Sequence, residues 1–457
     1  MEHSNRFKRE IASQLPAESE VEALFDRLWP ICRSITGNGV RESFAILNEV
    51  APYEMFEVPS GEKVLDWTVP KEWNIEDAYV EDESGHRVID FRRNNLHVLG
   101  YSVPVDQWFA LDQLQEHLYS LPEQPDAIPY FTTYYKERWG FCIEDRRRKA
   151  LVPGRYRAVI RSTLEPGSLT YGHKLLPATN GGTDEVLISS YLCHPSMANN
   201  ELSGPLLTTF LYRALSRLPE RRFNYRFVLV PETIGAIAYL ARYGAHLKRH
   251  CKAGLVATCC GDGRAITYKR SRRAEALIDR CVLDVLADYR RESGKEFTAL
   301  DFFPSGSDER QYCSPGFDLP VGSLMRSMYT VYPEYHTSLD NKSMISFAAL
   351  IESLELYLRV CMSLEKNETL CSTVPYGEPM LGLRGLYPTL GGALDTKDVV
   401  KDMMYLFSYA DGEHDLCDIA RRADSSILEL AAAAEPCKAA SLLLVRGDHE
   451  KKEGWTI

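Results

Sequence analysis

Residues 187–215 read LISSYLCHPSMANNELSGPLLTTFLYRAL. The chain enters this stretch through the apolar run Val186 to Leu192, which suits a strand buried on both faces. It passes His194 and reaches a polar turn holding Asn199, Asn200 and Glu201. Leu206, Leu207, Phe210, Leu211, Ala214, Leu215 and Leu218 then recur at the spacing of an amphipathic helix. Ser203 suits its N-cap, and Pro205 suits the first turn, where a missing N–H costs nothing. Strand, polar turn and helix in this order predict one unit of a parallel sheet, with any ligand bound beyond the carboxyl ends of the strands.

The same alternation continues on both sides. Strands are expected at Arg157 to Arg161, Tyr225 to Val230, Gly254 to Cys259 and Leu319 to Leu324. Helices are expected at Ile234 to Tyr243, Ala274 to Tyr289 and Lys342 to Leu364. This predicts an α/β fold, a mainly parallel sheet flanked by helices. Residues 18 to 50 are helical in pattern, with a break at Gly37-Asn38-Gly39. From Phe56 the Pro and Gly punctuation and short alternating runs read as a β-rich insertion, while the aromatic stretch Ile128 to Cys142 has no period. After Asp395, three short helices, a turn at Asp411-Gly412 and the strand-like Ser441 to Val445 suit a winged-helix module. The expected division is 1–57 with 150–375 for the α/β domain, 58–149 for the insertion and 385–450 for the winged helix.

With 457 residues, two or three domains are expected. A net charge of -11 and the acids of segment 395–445 (Asp395, Asp398, Asp402, Asp411, Glu413, Asp415, Asp418) argue against nucleic acid as a partner. The twelve cysteines form no CxxC pair, and the charged N-terminus lacks the apolar core of a signal peptide. The expectation is a cytoplasmic chain with reduced thiols, no membrane span and a small-molecule or short peptide-like substrate; assembly into a homo-oligomer is compatible with this.

Polar residues gather just after the expected strands: His194 with Asn199, Asn200 and Glu201, then Glu232, then Asp308 and Glu309, then Glu334, His336 and Asp340. Singly, each has an ordinary structural role, a hydrogen-bonded histidine or an acid at a helix start. Their recurrence at equivalent edge positions is what points to a site. Cys259 and Cys260 read as small core residues.

The order CHPSMANNELSG, VPETIGAIAYL, SGSDERQYCSPGFDLPV and YHTSLDN resembles the M28 zinc aminopeptidases. With VLDWTVPKEWNI and YYKERWGFC it resembles, more closely, bacterial aminopeptidase-like proteins often encoded with polysaccharide or natural-product pathways. The resemblance implies a zinc-aminopeptidase-like fold over nearly the whole chain. It implies metal ligands at His194, Asn200 and His336, a general base at Glu232, and Asp308 as a catalytic group that orients or ligates. Glu201, Glu309 and Tyr335 are expected to bind substrate. The chain departs from the M28 pattern where Ser196 replaces an orienting Asp, Asn200 a bridging Asp and Thr233 a ligating Glu; Thr258 to Cys260 also lacks an expected Asp. A bridging carboxylate is what holds two cations together, so one zinc is expected rather than two.

The function expected is metal-dependent hydrolysis of an amide in a small peptide-like or aminoacyl-sugar substrate. The alternatives are a catalytically altered binding or scaffold protein, and a single-zinc acyl-transfer or cyclising enzyme. All catalytic versions require the imidazoles of His194 and His336 to lie within about 8 Å of each other.

Overall fold

The computed structural model describes residues 4–386 and 397–449. Asp395, and residues 387–396 and 450 of the expected winged-helix span, lie outside the described residues. Two compact units are distinguished: residues 16–274 with 298–354, and residues 4–15 with 275–297 and the described part of 355–449.

The larger unit is built on an eight-stranded mixed sheet. Its order is Glu54–Pro59, Ser168–Leu176, Asn224–Val230, Glu185–Tyr191, Cys251–Ala257, Val321–Met325, Ile266–Lys269 and Phe297–Leu300. The four central strands, 224–230 to 321–325, run parallel, and Ile188 pairs with both Phe227 and Leu255. The strands beside this block, 168–176 and 266–269, run antiparallel to it. Every residue of Glu185–Tyr191 is buried, which explains its apolar texture. Its one acid, Glu185, is paired by Arg226 at 2.7 and 3.0 Å and by His246 at 2.8 Å. The helices Ser203–Ser216 and Ile234–His250 follow two of the central strands. Gly204 lets the first of these approach the sheet: a Cβ there would lie 2.3 Å from both the Ala257 carbonyl oxygen and the Ser190 hydroxyl.

Two local expectations change. Ser203 is already inside the helix, because the π-helical turn Ala198–Leu202 precedes it, and its hydroxyl donates back to the Asn199 carbonyl at 2.5 Å. Arg157 to Arg161 is a strand, but it belongs to a separate antiparallel sheet ordered Arg87–Asp90, Glu72–Asp82, Arg155–Glu165, Val105–Ala110. Buried Ala158 and Ile160 join Ala78, Val80 and Ile89 in its core.

The smaller unit carries helices Lys397–Tyr409, Leu416–Ala423 and Ile427–Ala439 with a three-stranded sheet, Asp411–Asp415, Thr369–Ser372 and Leu443–Val445. Asp411-Gly412, expected as a turn, opens a strand that pairs antiparallel with 369–372. Capping boxes at Asp415 and Ser426 start two of the helices. All twelve cysteines are free thiols. Among the described residues no helix is long and apolar enough to cross a membrane.

Candidate metal and catalytic site

The carboxyl ends of the parallel strands converge on one edge, and the chain turns there through unusual backbone. Ser196, Thr233, Cys259 and His336, each following a different central strand, have φ of 42, 63, 50 and 55°. None is glycine, and Thr233 is β-branched, so each conformation costs on the order of 1–3 kcal/mol and must be enforced by its surroundings. Such strain concentrates where side chains are held for use.

His194 is fixed from behind. Its Nδ1 donates to Oε2 of Glu201 at 2.8 Å, and Oε1 of Glu201 accepts the Cys193 N–H at 2.5 Å. The guanidinium of Arg33 is 3.9 Å from Glu201, both side chains fully buried, and its Nε donates to the His194 carbonyl at 3.2 Å. With Nδ1 engaged, Nε2 of His194 faces Oε2 of Glu232 at 3.5 Å. The ring of His336 lies 5.4 Å from that of His194, centroid to centroid. The structure therefore brings His194, Glu232 and His336 together.

The loop bearing Asn199 to Glu201 is held by Asp340. Its carboxylate accepts the N–H groups of Ala198 at 3.2 Å, Asn199 at 2.6 Å and Asn200 at 2.9 Å. Asn199 staples this loop to the next, accepting the N–H of Gly261 at 2.8 Å and donating to Asp262 at 2.8 Å. Asn200 donates to the Tyr191 hydroxyl at 2.8 Å while its Oδ1 is buried without a partner. Nε2 of His336 and Oδ2 of Asp308 are likewise buried and unpartnered. Three unpartnered polar atoms at one edge are unusual, since buried polar atoms are nearly always satisfied.

Asp308 accepts the Thr233 N–H at 2.7 Å, fixing the peptide next to Glu232. Asn200, Glu201, Asp308, Glu309 and Tyr335 are not among the residues that line the cavity above the site. Glu201 serves His194, Glu309 is bound by Lys269 at 2.7 Å in a fully buried pair, and Tyr335 stacks on His336 at 3.9 Å.

Burial sets the protonation of these groups. It raises the Glu232 carboxyl above its usual range, with His194 opposing. It raises Asp308 well above its range, helped by the Glu232 charge. It holds His336 down to about 3, with His194 adding to the effect, so that ring is neutral near pH 7. Burial disfavours protonated His194, but Glu201 and Glu232 outweigh it and the net shift is upward.

The cavity above has a volume of about 550 Å³. His194, Glu232 and His336 lie among its walls, with Tyr130, Tyr134 and Arg310. The aromatic stretch that lacked a period supplies this wall. It is zipped to the His336 loop: the Tyr130 N–H donates to the His336 carbonyl at 2.9 Å, and the Ser338 N–H donates to the Ile128 carbonyl at 2.9 Å. Tyr130 lies 5.0 Å from the His194 ring and 5.1 Å from that of His336. Among the described residues, one group of three acid, thiol or imidazole side chains has donor atoms within 4.8 Å of one another: Cys193, His194 and Glu201. Its members are already committed, since Glu201 holds His194 and the Cys193 sulfur accepts the Glu232 N–H at 3.2 Å.

Arg33, Asn199, Asp340, Tyr130 and Arg310 are the site residues that sequence reading left unassigned. Only Asn199 and Asp340 carried a signal, as polar residues just after parallel strands.

Residues 22–367 match the family described as a domain of unknown function, DUF4910, and residues 368–445 match a winged helix-turn-helix family. A Clostridium acetobutylicum protein named for polysaccharide biosynthesis and an aminopeptidase-like domain is 45% identical over 443 residues, covering 97% of this chain and 99% of its own. A crystal structure from the same organism, assigned to the peptidases by its name, superposes with a TM-score of 0.89 at 42% identity, covering 97% of this chain and 100% of that one. The zinc aminopeptidase BSAP of Bacillus subtilis shares the fold, with a TM-score of 0.53 at 11% identity over 76% of this chain and 96% of that one. The chain thus belongs to the DUF4910 family, with an aminopeptidase-like α/β fold followed by a winged helix.

Proposed function

We propose that the chain is a metal-dependent amide hydrolase acting on a small peptide-like or aminoacyl-sugar substrate. The observation that carries this reading is the approach of His194 and His336 to 5.4 Å beside Glu232, at the sheet edge where such folds bind ligands. One cation of the zinc type would be held by His194 through Nε2 and His336 through its unpartnered Nε2, with the unpartnered Oδ1 of Asn200 as the third donor in this reading. The amide of Asn200 and the hydroxyl of Thr233 bring no negative charge for a second cation. When bound, the cation supplies Lewis-acid polarisation of the scissile carbonyl.

Glu232 takes a proton from the attacking water and passes it to the leaving amine as the C–O bond forms and the C–N bond breaks. Asp308 holds the Thr233 peptide and, with it, the position of Glu232. Glu201 orients His194, and Tyr335 orients His336. The aminopeptidase-like fold supports peptide-like chemistry, and the relative's name supports a biosynthetic setting. The chain partition 1–57 with 150–375, 58–149 and 385–450 is part of this proposal, the inserted segment closing over the substrate.

The test is metal analysis of the purified chain beside His194→Ala and His336→Ala. About one zinc per chain, lost in both variants, is expected. Stoichiometric zinc surviving both changes sinks the assignment.

A second reading, a metal-free binding protein on a peptidase-like fold, is favoured by Asn200 and Thr233 standing where carboxylates would strengthen a metal site. Ligand binding that ignores chelators, without turnover, would select it.

A further inference from the structure

Half-buried Arg310 differs from the buried Arg226 and Arg326 of its unit. Arg226 is paired with Glu185 and Arg326 with Glu352, whereas Arg310 forms no ion pair among the described residues. Its Nη2 donates to the Thr233 hydroxyl at 3.2 Å, and its Nε is buried without an acceptor. The guanidinium stands in the cavity wall beside Glu232. The charges of Glu232 and Asp308 offset it through space, yet its buried Nε keeps a donor free for an anionic group that reaches the cavity.

The cavity mouth has a second feature. Trp67, Phe131 and Tyr135 are 39%, 40% and 56% exposed, and the rings of Trp67 and Tyr135 meet edge to face at 6.0 Å. Exposed aromatics clustered around a concave site mark a binding surface more than a folding need.

We propose that the cavity takes an amide substrate that also carries a carboxylate, gripped by Arg310 while its apolar or ring portion rests on the Trp67–Tyr135 rim. This deepens the hydrolytic reading and rests on it for the amide. A carboxylate suits the site better than a phosphate. The planar fork of one arginine matches two carboxylate oxygens, and the second charge of a phosphate would sit against Glu232.

The probes are N-acetyl-L-tyrosine and its uncharged isostere N-acetyl-L-tyrosinamide, titrated calorimetrically into the full-length chain, with inorganic phosphate as competitor. The carboxylate is expected to bind about tenfold tighter than the carboxamide, a typical margin for a charge-assisted bidentate contact. Arg310→Gln, checked for folding by circular dichroism, should bring the two affinities together by weakening the carboxylate about tenfold. Arg310→Lys should restore part of the preference. Equal affinities in the unaltered chain, no binding of either probe, or a preference that persists in Arg310→Gln would overturn the proposal. Phosphate displacing the probe at equal concentration would overturn the choice of carboxylate. The titrations need no turnover. A chain that cleaves nothing and still prefers the carboxylate would overturn the hydrolytic reading, and with it the amide, and leave the Arg310 carboxylate site standing.

Discussion

Oε2 of Glu201 lies 2.8 Å from Nδ1 of His194, and the two residues are only seven positions apart, across a π-helical turn. The contact decides what His194 can do. A carboxylate can only accept, so Nδ1 carries the proton and the lone pair is left on Nε2, on the side of Glu232 and His336. Arg33 balances the charge of Glu201, and the π turn is set by three backbone N–H groups converging on Asp340. The imidazole is thus held by a stack of partners reaching from residue 33 to residue 340.

Glu201→Gln tests that stack. The glutamine is nearly isosteric but binds the imidazole more weakly and no longer fixes its tautomer. Zinc affinity, measured by competition with a chromophoric chelator, should fall by about 10–100-fold, the usual cost of losing a carboxylate behind a ligating histidine. The fold should survive. Unchanged affinity would show that His194 does not ligate through Nε2.

Glu232→Gln separates binding from chemistry. The amide keeps the shape of the side chain but cannot accept and return a proton. Turnover of a peptide-like amide should drop by about 10²–10⁴-fold, the range of general acid–base contributions, while zinc content stays near that of the unaltered chain. Activity retained within a few fold would remove Glu232 from the base role.

The parts legible in sequence were those encoded locally. The strand 185–191 is buried on both faces, and the helix after it repeats at helical spacing, so both are written in neighbouring residues. His194, Glu232 and His336 were legible as polar residues at strand ends. Arg33 was not, because the contacts that bring it to the site, with the His194 carbonyl and Glu201, lie 161 or more positions away. Nor was the cavity wall around Tyr130, whose path is set by pairing with residues 336–338 rather than by its own pattern. Arg157 to Arg161 was recognisable as a strand, but strand pairing is not local, and its sheet was misassigned.

His173 links stability to pH away from the site. It packs against Phe56 at 4.9 Å and Tyr243 at 5.1 Å, and its Nδ1 meets the Tyr239 hydroxyl at 2.9 Å. Burial, helped by Arg226, holds it down to about 4 from an ordinary 6.5. Between those values the unfolded imidazole binds a proton that the folded one refuses, so stability is full above 6.5 and is lost as pH falls toward 4. The loss from this residue should be no more than about 3 kcal/mol. Urea unfolding of His173→Gln should show a shallower decline over that window; an identical slope would exclude His173 as the source.

Lys269 offers the last test, because it holds the segment that carries Asp308 and Arg310. Its ammonium is fully buried and spends its donors on the Ser305 carbonyl at 2.9 Å, Glu309 at 2.7 Å and the Tyr329 hydroxyl at 2.9 Å. Among the described residues the Glu309 carboxylate is paired with no other cation, and its second oxygen is unpartnered. Lys269→Met should therefore destabilise the chain by about 3–5 kcal/mol, since one buried charge is left alone. Adding Glu309→Gln removes that charge and should recover much of the loss. If the pair serves only folding, the double variant regains turnover along with stability. If it positions the loop, stability returns while turnover stays low, because Asp308 no longer meets the Thr233 N–H at its 2.7 Å distance. We expect the second outcome. The single lysine bridges the loop residue Ser305 and the Glu309 that follows Asp308, and no other ammonium among the described residues reaches both.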